Sequence, residues 1–165
     1  MQLDTNASKS PRLAEQAPII VAGLAERYNN KTKAKIPFLW QQFMPWMGTI
    51  SGQRGTDTYG VCYNYGPDGS FDYLCGVQVA GSKAVPDGLA AVEIPRKTFA
   101  VFSHSGHVSE LSAVWQTIFS EWAPTSGLAL ETEPNFERYT DKFDPHTGTG
   151  LIEIWIPLKT ERQVD

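Results

Sequence analysis

Two periodicities share this chain. Residues 19–28, Ile-Ile-Val-Ala-Gly-Leu-Ala-Glu-Arg-Tyr, read as a first strand. After a polar loop, Ile36, Leu39, Trp40, Phe43 and Met47 recur at helical spacing. Pro37 stands where a helix tolerates proline, and Pro45 with Gly48 behind it marks the close. Period two then returns. Tyr59, Val61, Tyr63 and Tyr65 share one face of a strand over 58–65, Gly66-Pro67-Asp68-Gly69 has turn chemistry, and residues 71–79 come back as a hairpin. The first half therefore spells β-α-β-β.

The second half repeats that order. Strand material lies at 90–94 and 98–103, and Ser105-Gly106 breaks it before a helix over about 108–122. The helix's apolar stripe is Val108, Leu111, Trp115, Ile118 and Trp122, with Pro124 and Gly127 after it. Residues 128–132 and 135–139 open the next strands, and the apolar run 150–158 closes the set. In that run Ile152, Ile154 and Ile156 share one face, while Leu151, Glu153 and Trp155 share the other. Trp40 and Trp115 are 75 residues apart, so the element order repeats at a nearly constant offset. The pattern predicts an α+β fold of duplicated β-α-β-β units, a curved antiparallel sheet with two helices on one face and a ligand cleft on the other. Residues 1–18 are expected as a flexible N-terminal lead-in, 19–159 as the domain (repeat one about 19–80, repeat two about 90–158), and 160–165 as a tail.

Composition narrows the function classes. The chain has 165 residues, 41% hydrophobic and 19% charged, which is the make-up of an ordinary globular domain. A net charge of −4 and the lack of a Lys/Arg cluster argue against direct nucleic-acid binding. No apolar run approaches the ~20 residues of a membrane-spanning helix. The leader lacks the apolar stretch of a secretory signal, so a cytoplasmic address and reduced Cys62 and Cys75 are expected. His104, His107 and His146 lack metal-site spacing, and no nucleophile elbow is present; no cofactor is expected. Ser105-Gly106-His107 before a helix is read as a cap.

Glu153 is the unusual residue, a carboxylate between a leucine and an indole on one face of an apolar strand. Two readings stand open: a solvated edge-strand glutamate, or the charge at the floor of an aromatic cleft. Under the second, a carboxylate ringed by π faces attracts a flat, lipophilic cation, at about 0.5–2 kcal/mol for each cation–π contact. Trp155 and the tyrosines of the hairpin supply such faces; Trp40, Trp115 and Trp122 lie on helical stripes and are assigned to the core.

Ile36-Pro37 with Leu39-Trp40, Tyr59-Gly60-Val61, Phe71-Asp72-Tyr73 with Gly76-Val77, Ile94-Pro95 with 99–102, and His104-Ser105-Gly106 form an ordered set. Residues 119–122, Phe136-Glu137-Arg138-Tyr139 and 153–157 continue it. With these segments the chain resembles the GyrI-like small-molecule-binding proteins, which are similar to the effector-binding domains of AraC-type and MerR-type bacterial regulators. The resemblance implies a cleft between the halves, Glu153 as its central carboxylate, and Tyr139 at a cleft position. It also implies a stand-alone member, because no DNA-binding helix-turn-helix is seen. The expected ligand-binding set is Glu153, Trp155, Tyr139, Tyr63 and Tyr73, and the expected partner is a small-molecule ligand. Two rivals stay open: a hydrolase of strained-ring alkylating compounds using Glu153 and Tyr139, and a gyrase-inhibitor-like antagonist that binds a protein partner.

Overall fold

The computed structural model describes residues 11–159. Its eight strands are β1 (Arg12–Gln16), β2 (Ile19–Tyr28), β3 (Gln53–Tyr63), β4 (Phe71–Val79), β5 (Ala90–Ile94), β6 (Lys97–His107), β7 (Asn135–Tyr139) and β8 (Thr149–Pro157). They form one antiparallel sheet in the order β1-β6-β8-β7-β3-β4-β2-β5. Helix α1 (Ile36–Phe43) joins β2 to β3, and α2 (Leu111–Thr117) joins β6 to β7. The units β2-α1-β3-β4 and β6-α2-β7-β8 thus share one order and meet where β3 pairs with β7. The duplication expected from the tryptophan spacing is present.

Pro45 ends α1 as expected, and the chain turns through a 3-10 segment, Met44–Trp46. Helix α2 begins later than its apolar stripe suggests. Strand β6 continues to His107, which caps a 3-10 turn through its ring nitrogen and pairs with Glu110 in a capping box. Beyond Thr117 the helix widens into a π-turn, Ile118–Trp122. Residues 128–132 contribute only an isolated bridge between Leu130 and Leu158.

The sheet curls into a half-barrel. Side chains from all eight strands meet in one cluster on its inner face, including Ile19, Val61, Leu74, Ile94, Phe99, Phe136 and Trp155, with Ala14 of β1 against them. Both helices lie on the outer face, α1 against β2 and β4, α2 against β6, on either side of the central β3–β7 pair.

Two expectations need correction. Residues 12–16 of the supposed lead-in form an edge strand, because β6 presents a free backbone edge that Arg12–Gln16 pairs with. Residues 1–10 and the 160–165 tail lie outside the described residues. The face without helices, where a cleft is expected, is packed along the seam among the described residues. Its concavity is filled by its own aromatic side chains, with Phe136 stacked on Trp155 at 5.2 Å and Phe99 edge-on to both rings. Among the described residues, no helix is long and apolar enough to cross a membrane.

Candidate functional site

Strand β7 is short, and its alternation decides what faces where. Phe136 and Arg138 point to the inner face; Asn135, Glu137 and Tyr139 point to the outer face, between the helices. Glu137 sits across from Gly60 on β3, one strand from Tyr73 on β4. A Cβ at Gly60 would overlap the Tyr73 phenol, so this glycine makes the room in which the phenol reaches the carboxylate.

Three neutral donors converge on Glu137. The Tyr139 hydroxyl donates to Oε1 at 2.7 Å, the Tyr73 hydroxyl to the same oxygen at 3.3 Å, and the Trp115 indole N–H to Oε2 at 2.9 Å. The Trp40 indole N–H donates in turn to the Tyr73 hydroxyl at 3.0 Å. Each repeat therefore sends the indole of its helix into one cluster. Trp40 also meets Tyr139 edge-on at 5.2 Å, and Phe143 closes the far side of Tyr139 at 5.0 Å. From Trp115 the aromatic surface runs outward to Phe119, whose ring lies 6.0 Å away and 9° from parallel.

Glu137 is hemmed in by these rings yet keeps partial solvent access, as do Trp40 and Trp115. Burial pushes its carboxyl above the ordinary 4.5, and the bonds from Tyr139, Trp115 and Tyr73 pull part of the way back. Both phenols are raised well above 10 by burial and by the charge of Glu137, so they remain protonated donors. Among the described residues, no basic side chain pairs with Glu137.

The expected site residues divide between the two faces. Tyr73 and Tyr139 belong to this cluster. Glu153, Trp155 and Tyr63 lie on the inner face. Glu153 is buried, 8% exposed, and its charge is already answered: Arg138 reaches Oε1 at 3.4 Å, Arg12 reaches Oε2 at 3.3 Å, and the Trp155 indole donates to Oε1 at 3.1 Å. Asp57 holds Arg138 at 2.7 Å, and the Arg12 guanidinium lies 5.8 Å from the Trp155 ring centre. The grouping of Glu153 with Tyr139, on which both the binding and the hydrolase readings were built, does not form, because a strand turns adjacent side chains to opposite faces.

Sequence reasoning missed Glu137, Trp115 and Trp40. A signal for the first was present: Glu137 and Tyr139 are two apart on a strand, so the tyrosine already expected in the cleft carries the glutamate with it. Cys62 and Cys75 are free thiols. Among the described residues, no group of three or more His, Cys, Asp or Glu side chains is placed to hold a metal ion.

The transcriptional regulator BrlR of Pseudomonas aeruginosa is 28% identical over 149 residues, covering 89% of this chain and 54% of that protein. The chain thus spans about half the length of the curated relative it matches. Among solved structures, SAV2435 bound to tetraphenylphosphonium superposes with a TM-score of 0.74 at 20% identity, covering 91% of this chain and 94% of that one. An integron cassette protein from the Vibrio cholerae mobile metagenome gives 0.67 at 19% identity, covering 90% and 95%. At these identities the structures share the fold. The GyrI-like small molecule binding domain matches residues 9–159, nearly the whole chain, and the chain belongs to that family.

Proposed function

We propose that this small-molecule binding domain takes up a lipophilic aromatic cation in the cleft between its helices, with Glu137 as the central carboxylate. One observation carries the reading. Among the described residues, Glu137 is a half-buried charge whose partners are all neutral donors, whereas Glu153, one strand away, is met by two arginines. A charge held in a poorly solvated aromatic site without a counter-ion favours a cation arriving from outside. The three donors keep the carboxylate oriented while the ligand is absent, so little ordering remains to be done on binding. Trp40, Trp115 and Tyr139 then offer π faces to the same cation. The tetraphenylphosphonium complex of SAV2435, a lipophilic cation in a protein of similar fold, supports the choice of ligand class.

Titration of the full chain with tetraphenylphosphonium, followed by tryptophan fluorescence, tests the proposal. Saturable quenching that Glu137→Gln weakens at least tenfold is the expected result. Equal affinity of parent and variant overturns it.

A further inference from the structure

Phe119 is 46% exposed, a large apolar side chain left in solvent one helical turn beyond Trp115. Isolated exposed phenylalanines need no explanation. This one has two features that call for one. Its ring is stacked on Trp115, the residue whose indole N–H is tied to Glu137, so Glu137, Trp115 and Phe119 form one continuous surface from the cleft floor to solvent. It also stands inside the π-turn at Ile118–Trp122, a local widening of the kind that recurs at functional sites.

The stacked pair spans the entry to the π-turn. In a regular helix of 3.6 residues per turn, residue i+4 lies about 40° past residue i. Phe119 nevertheless runs nearly parallel to Trp115, its ring centre 6.0 Å away and the planes 9° apart. The same segment still returns Trp122 to the core, edge-on to Phe102 at 4.9 Å. The helix therefore keeps its buried stripe of Leu111, Val114 and Ile118 while sending a second aromatic ring along the cleft wall.

We infer that Phe119 is a specificity-determining residue, the outer half of a two-ring wall, and that the preferred ligand is elongated: a cationic end at Glu137 and a second aromatic ring lying outward along Trp115 and Phe119. The inference rests on the assignment of the cation to Glu137. It adds a length requirement that the carboxylate alone does not impose.

Two probes of equal charge test it, benzyltrimethylammonium with one ring and (biphenyl-4-ylmethyl)trimethylammonium with two. The parent is expected to bind the longer probe at least tenfold more tightly. Phe119→Ala should cut that preference to about threefold or less and leave the shorter probe within twofold of the parent; Phe119→Trp should keep the preference. Phe38→Ala, which removes a 60% exposed ring from α1, is the control and should change neither affinity. Glu137→Gln should weaken both probes by a similar factor, so loss of the charge and loss of the wall give different patterns. A preference that survives Phe119→Ala, or its absence in a parent that binds both probes, overturns the inference. If the parent binds neither probe, the assignment of the cation to Glu137 falls and takes the length requirement with it.

Discussion

Arg138 stands directly across from Glu153 in the β7–β8 ladder, its Nη1 3.4 Å from Glu153 Oε1, while Glu137, one residue earlier, turns its carboxylate to the opposite face of the sheet. Neighbouring positions of one strand thus hold an answered charge and one that no basic side chain among the described residues answers. Removing each should have a different signature. Glu153→Gln is expected to lower stability by about 1–2 kcal/mol, less than a fully buried pair because both arginines are partly exposed, and to leave cation affinity within twofold. Glu137→Gln should weaken a lipophilic cation by about 10–100-fold, or roughly 1.4–2.8 kcal/mol. Thermal unfolding and fluorescence titration on the two variants separate the effects.

Gly60→Ala tests the room made for Tyr73. The added Cβ overlaps the Tyr73 phenol, so the ring must move away from Glu137 or the strands must shift. Overpacking of this kind costs about 1–3 kcal/mol. A lower melting temperature together with weaker cation binding is the expected outcome; unchanged binding would show that the Tyr73–Glu137 bond does not matter for the ligand.

Binding should depend on pH through Glu137. A cation needs the ionised carboxylate, and burial raises this group above 4.5. Affinity should therefore hold at high pH and fall as pH drops through the raised value, earlier than for an ordinary glutamate. Stability of the unliganded chain should move the other way for this group. Between the raised value and 4.5 the folded state binds the proton more tightly than the unfolded state, so this contribution grows as pH falls. Glu137→Gln should flatten the binding profile in that range.

Trp115→Phe keeps a ring for Phe119 and deletes the indole N–H that holds Glu137 Oε2. Because that bond lowers the Glu137 pKa, its loss should move the pH midpoint of binding upward. A midpoint that stays put would mean the indole serves packing alone.

Much of this architecture was legible in the sequence for a local reason. Strand alternation and the helical spacing of Ile36 to Met47 are properties of neighbouring positions, the 75-residue interval between Trp40 and Trp115 is read by counting along the chain, and the duplicated α+β fold follows from the three. The site was harder because it depends on who stands across the sheet. Glu153 looked exceptional as the one carboxylate in an apolar strand, but its counter-charges come from β7 and β1, and only the register brings them together. Trp40 and Trp115 fit apolar stripes so well that the polar edge of each indole carried no signal. Tyr63 and Tyr73 lie in the two paired strands of one hairpin; a pairing offset, invisible in sequence, sends them to opposite faces.

The two outer strands have a consequence for how the halves depend on each other. Strand β1 precedes the first repeat but is hydrogen-bonded to β6 of the second, and β5, which follows the connection at 80–89, is hydrogen-bonded back to β2 of the first. Each half lends the other its edge. A chain cut within that connection would give two fragments that each lack their outermost partner and hold a spare strand for the other, so mixing them should rebuild the native molecule where neither folds by itself.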